Sequence, residues 1–142
     1  MKRWQRCVAM MLAAFVLSAA FAEGGVGVAA KVRADEHFSV REYNLFHDVL
    51  HPLQHEALPK KDFKTIRARA AELVTRGRAL VRLGVPAGVQ ETEAFRQELK
   101  QFEKALMKFR TDARKKSNAR LEQSYNAVHD SFEMLASMLP RK

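Results

Sequence analysis

Three histidines stand four residues apart, at His47, His51 and His55, and a fourth, His129, lies far along the chain in a second copy of the motif that holds the first. Imidazoles four apart on a helix sit one turn above each other, so His47/His51 or His51/His55 can chelate one divalent ion through two nitrogens. A third nitrogen from His129, with Asp48, Asp130, Glu133 or water completing the shell, makes a nitrogen-rich site suited to copper, zinc or nickel. Asp48 and Asp130 directly follow their histidines, so they are also candidates to orient an imbibed ion's ligands through hydrogen bonds. The competing reading leaves His51 and His55 solvated, with His47 and His129 hydrogen-bonded at the edge of a core.

The repeat joins the two ends of the chain. Tyr43-Asn44-Leu45-Phe46-His47-Asp48 recurs 82 residues later as Tyr125-Asn126-Ala127-Val128-His129-Asp130, and each copy continues with an apolar residue (Leu50, Phe132) and then a leucine (Leu53, Leu135). Only two tyrosines occur in the sequence, and both are in this motif. At about 100° per residue, His47 falls roughly 60° from Leu50, and His129 stands in the same relation to Phe132. Each histidine therefore borders an apolar seam. If the two helices are antiparallel neighbours, a local twofold relates the copies and sets both histidines at one height. The tyrosines read as seam residues whose hydroxyls reach a polar edge. Asn44 and Asp48, like Asn126 and Asp130, are four apart and read as local pairs on a solvated face.

These side chains need helices to hold them, and apolar spacing is helical almost everywhere after residue 38. The first predicted helix runs from about Ser39, as N-cap with Glu42 three residues on, to about Leu58, burying Tyr43, Phe46, Leu50, Leu53 and Ala57 before Pro59 stops it. Pro52 inside it cannot donate to the carbonyl of Asp48, which predicts a kink near His51. The second starts at Asp62 and carries Phe63, Ile66, Ala70, Leu73, Gly77 and Leu80. After the loop Leu83 to Gly88, the third begins near Gln90 with Phe95, Leu99, Phe102, Leu106 and Phe109 on one seam and cations at its end, Arg114 to Lys116. The fourth is capped by Ser117 or Asn118 and buries Leu121, Tyr125, Val128, Phe132, Leu135 and Leu139. The expectation is an all-α, up-down-up-down antiparallel four-helix bundle. A continuous third and fourth helix is its rival, because neither Gly nor Pro marks that turn.

The N-terminus predicts the compartment. Cationic Met1 to Arg6, apolar Val8 to Ala20 and the pattern Ala20-Phe21-Ala22 read as a signal peptide over residues 1–22, followed by a glycine-rich flexible lead over 23–37 and the bundle over 38–142. Cleavage after Ala22 leaves 120 of the 142 residues, without Cys7, and with 22 basic against 16 acidic residues, a net charge of +6. A disulfide framework, a thiolate metal site and covalent haem attachment are then excluded. The protein is expected to be periplasmic or secreted, as a monomer or homodimer. The second helix carries Lys60, Lys61, Lys64, Arg67, Arg69, Arg76, Arg78 and Arg82, which reads as a solvated face or as a surface for an acidic protein or anionic membrane. No nucleic-acid motif is present.

No phosphate loop, nucleophile elbow or Glu-x-x-His pair occurs, so the expected role is binding rather than catalysis. In signal peptide, size, helix count and a histidine on the last helix, His129, the chain resembles the exported bundles of the cytochrome c-prime and soluble b-type cytochrome group. That resemblance implies a haem between helices and a role in electron transfer or gas binding. The chain lacks Cys-x-x-Cys-His, so haem here means a non-covalent site with His47 and His129 as the axial ligands. Three expectations follow: metal handling or sensing through His47, His51 and His129, a cytochrome-like haem protein, or a metal-free adaptor or chaperone-like protein.

Overall fold

A computed structural model describes residues 37–140, which fall in the compact unit Arg33–Lys142. The predicted signal peptide and most of the predicted lead lie outside the described residues. Among those described there are four α-helices and no strand: α1 (Arg41–Pro52), prolonged by a π-helical turn (Leu53–Ala57), α2 (Phe63–Leu83), α3 (Thr92–Asp112) and α4 (Asn118–Ser137).

The start of α1 differs from expectation. Ser39 does not cap it; Val40 holds the N-cap position with extended backbone, and the Ser39 hydroxyl donates to the carbonyl of Pro140 at 3.1 Å. Asn44 anchors the entry instead. Its Oδ1 accepts from the Phe38 N–H at 2.7 Å, and its amide donates to the carbonyls of Phe38 and Val40 at 3.0 and 3.3 Å. Asn44 is thus half-buried and tied to the incoming chain, and the expected solvated pair with Asp48 is replaced by this clamp. The reason is physical: Phe38 precedes the helix, so its N–H and carbonyl lie outside the helical ladder, and the side-chain amide of Asn44 supplies both an acceptor and a donor for them.

Pro52 changes the helical register. With no N–H there, the ladder switches to i→i+5 bonding, in which Leu58 N–H donates to Leu53 O at 2.9 Å. The segment ends two residues beyond Pro59 in a Schellman turn: Asp62 N–H donates to Ala57 O and Lys61 N–H to Leu58 O, with Lys61 left-handed at φ 54°. Asp62 then caps α2 as expected, accepting from the Thr65 N–H at 3.0 Å. Gly84 stops α2 at φ 73°, ψ −141°, a backbone region open only to glycine.

α3 and α4 are separate helices. Ser117 accepts from Arg120 N–H at 3.3 Å as the α4 N-cap. The turn before it is held by side chains that periodicity does not reveal. Asp112 is buried there between Lys108 at 2.7 Å and Lys115 at 3.5 Å, and the Arg67 guanidinium donates to the Lys115 carbonyl at 3.1 Å.

The core contains every predicted seam residue, with Phe63 and Leu99 only half-buried. Gly77 sets the approach of α2: a Cβ there would lie 2.7 Å from a Leu106 methyl and 3.2 Å from the Phe46 ring. α3 packs most extensively on α4. α1 meets α4 through large rings, with Phe132 lying 4.8 Å from Phe46 and 5.8 Å from Tyr43 between ring centroids.

Candidate metal-binding site

The four-residue spacing of α1 gives a continuous edge of imidazoles. The rings of His47 and His51 are 5.2 Å apart between centroids, and those of His51 and His55 are 4.3 Å apart. His47 and His51 are half-buried, and His55 is exposed. The edge crosses Pro52 without a break, so the register change that follows the proline leaves His55 beside His51.

His47 is the best-supported ring of the three. Phe132 of α4 stacks on it at 6.3 Å and Phe38 meets it edge-on at 5.6 Å. Phe38 is itself positioned by the Asn44 clamp and packs against Phe132 at 5.7 Å. These two phenylalanines were not legible as site residues. Phe38 precedes the helix and reaches the histidine only because the chain folds back at Asn44.

His129 stands apart from that edge. Its Nδ1 is 3.3 Å from Asp130 Oδ1 and its Nε2 is 3.9 Å from Glu133 Oε1, with its side chain 24% exposed. Neighbouring residues on a helix diverge, yet the Asp130 carboxylate turns back far enough to meet the ring. Asp130 therefore pairs with His129 rather than with Asn126, and Asp48 is exposed beside His47. Phe132, one turn beyond His129, is what the His47 ring rests on.

Among the described residues, no three His, Cys, Asp or Glu side chains converge on one point. The geometry of the edge explains this, because His47 and His55 are eight residues and about 12 Å of helix apart. An ion can take His47 with His51 or His51 with His55, and His51 belongs to both pairs. Two imidazoles leave coordination positions for water or an additional side chain.

Under the edge lies the reciprocal contact of the repeated motif. Tyr43 stacks on Phe132, and the Tyr125 hydroxyl donates to the Leu50 carbonyl at 3.0 Å. The offset that carries Tyr43 onto Tyr125 also carries Leu50 onto Phe132, so each tyrosine meets the other copy's equivalent position. Both phenols are fully buried, and burial pushes both well above the usual tyrosine range. Among the described residues the Tyr43 hydroxyl has no hydrogen-bond partner.

Compared with protein-family models, curated proteins and solved structures, the chain matches none.

Proposed function

We propose that this is an exported, up-down-up-down antiparallel four-helix bundle that binds a divalent transition metal through histidines, for handling or sensing rather than catalysis. The observation that carries the reading is the histidine edge of α1, with ring centroids 5.2 and 4.3 Å apart. Two neutral imidazoles one turn apart are suited to copper, zinc or nickel, and small rotations about their side-chain bonds bring two nitrogens to the roughly 2.0–2.1 Å that a metal requires. His51 is the shared ligand. His47 or His55 supplies the second nitrogen, and His129, backed by Asp130 and Glu133, is the candidate from α4.

An ion suits this seam better than haem. Tyr43, Phe46 and Phe132 fill the space between α1 and α4 with no exposure to solvent, and the His47 ring lies on Phe132. A porphyrin between His47 and His129 would require these rings to leave.

Calorimetric titration of the protein with copper, zinc and nickel tests the proposal. Stoichiometric binding of at least one ion is expected, with His51→Ala abolishing it. Unchanged binding in His129→Ala contradicts a site spanning α1 and α4, whereas loss with His129→Ala supports one, and His55→Ala then tells whether His47 or His55 supplies the second nitrogen. Absence of stoichiometric binding by all three ions sinks the metal reading.

A further inference from the structure

A concavity of about 320 Å³ lies between α2 and α3, where the chemistry is the reverse of that on the histidine edge. Arg67 and Arg78 from α2, Arg110 from α3 and Arg114 from the turn that follows α3 rim it, over a floor that includes Ala70 and Ala113. The spacings explain the convergence. Residues 67 and 78 are eleven apart, about three helical turns, so that pair lies along one face of α2, and Arg114 follows Arg110 where α3 gives way to its closing turn. Contacts from α2 align the two sides: Arg67 reaches the carbonyl of Lys115, in the turn after α3, at 3.1 Å, and an Arg78 nitrogen lies 3.8 Å from the Met107 sulfur of α3.

Four guanidinium groups around one hollow repel one another, and among the described residues no carboxylate lines it. The acids on neighbouring turns are engaged elsewhere. Asp112 is held by Lys108 and Lys115, Glu72 by Arg69, and Asp62 caps α2. Among the described residues, none of the four rim arginines forms an ion pair, and the side-chain partner of Arg78 is a thioether, a weak acceptor. A bound anion would relieve the repulsion. Planar guanidinium forks match the oxygens of a phosphate bidentately, and the alanine floor leaves room for a small apolar body that larger side chains would fill. The volume is at the small end of ligand sites.

We infer that the α2–α3 groove binds a phosphate group carried on a small apolar body, whether a soluble phosphate ester or the headgroup region of an anionic phospholipid. This site is independent of the histidine edge and stands or falls without it.

The test uses phenyl phosphate in calorimetry and, separately, co-sedimentation with phosphatidylglycerol and phosphatidylcholine vesicles, each at fixed low salt. Arg78→Gln/Arg114→Gln is compared with Arg76→Gln/Arg82→Gln, which removes the same charge from exposed positions of α2 outside the groove. Binding of either probe is expected to weaken more than tenfold in the groove variant and by less than twofold in the control, with unchanged helical circular dichroism in both. Binding of phenyl phosphate assigns the soluble source; preference for phosphatidylglycerol vesicles without phenyl phosphate binding assigns the lipid. Equal weakening in the two variants reduces the effect to net charge and overturns the inference, as does failure of both probes to bind.

Discussion

The Tyr125 hydroxyl donates to the backbone carbonyl of Leu50 at 3.0 Å, joining α4 to α1 at a position that the repeated motif relates to Tyr43 and Phe132. The reciprocal pair behaves differently, since Tyr43 contributes a stacked ring but its buried hydroxyl has no hydrogen-bond partner among the described residues. The two tyrosines of the motif therefore meet the other copy differently, Tyr43 through a ring stack on Phe132 and Tyr125 through a hydrogen bond to the Leu50 carbonyl.

Replacing Tyr125 by Phe should cost about 0.5–1.5 kcal/mol, because it removes that bond and leaves the Leu50 carbonyl with one partner fewer. Tyr43→Phe should be neutral or stabilising by up to about 1 kcal/mol, since it removes a buried hydroxyl without such a bond. Urea denaturation of the two variants distinguishes these outcomes. Equal losses would mean that the two hydroxyls have equivalent environments.

The same tyrosines predict an alkaline limit. Burial raises both phenols above their ordinary value of 10.0, so the folded state favours the protonated form. The associated stability is fully present below pH 10 and is lost as pH rises from there toward the folded values. Urea midpoints measured from pH 8 to 11 should fall above about pH 10, and the Tyr43→Phe/Tyr125→Phe double variant should flatten the decline. An identical decline in the double variant would exclude these groups as its origin.

Asp112 predicts the acid limb. The hydrogen bond from Lys108, reinforced by its charge and that of Lys115, holds this carboxyl below its ordinary value of 3.8. Its contribution is present above pH 3.8 and disappears as pH falls through the lower folded value. Asp112→Asn should therefore be less stable than the parent at neutral pH, and the difference should shrink as the solution is acidified from pH 5 to 2. Measuring the urea midpoint of both proteins across that range decides it; a constant gap would remove Asp112 from the acid transition.

Gly77→Ala should destabilise the protein by about 1–2 kcal/mol despite alanine's better helix propensity. The added Cβ falls 2.7 Å from a methyl of Leu106, which is wholly buried and also confined by the close-packed core. Thermal unfolding of Gly77→Ala beside Gly77→Ala/Leu106→Ala tests the cause. Loss of more stability in the double variant than the two single changes predict together would show that the clash is not with Leu106.

Asn44→Ala should cost about 1 kcal/mol through the lost backbone clamp. It should also release Phe38 from the His47 ring, moving the His47 imidazole resonances while leaving those of His129 in place. Unmoved His47 resonances would place the support of that ring in Phe132 alone.

Much of this architecture is local in origin, which is why it is legible without coordinates. A period of 3.6 marks which side chains must leave water, and the buried faces of α1 to α4 follow it closely. Asp62 acts through its own neighbours, so its capping role can be read directly, and the α4 cap narrows to Ser117 or Asn118, of which Ser117 holds the position. The four-residue spacing of His47, His51 and His55 likewise implies one edge. What sequence could not supply depends on groups distant along the chain. Asn44 reads as a solvated residue until Phe38 folds back over it, and Ser39 loses its capping role to a bond with Pro140, 101 residues away. The α3–α4 turn contains neither Gly nor Pro, yet Arg67, 48 residues earlier, satisfies its Lys115 carbonyl. The rim arginines are visible as charges in sequence, but only the packing of α2 on α3 brings four of them around one hollow. Periodicity determined which faces are buried because burial is a property of each helix; the tertiary structure decided which polar groups meet, because hydrogen bonds and charges act on distances that no single helix specifies.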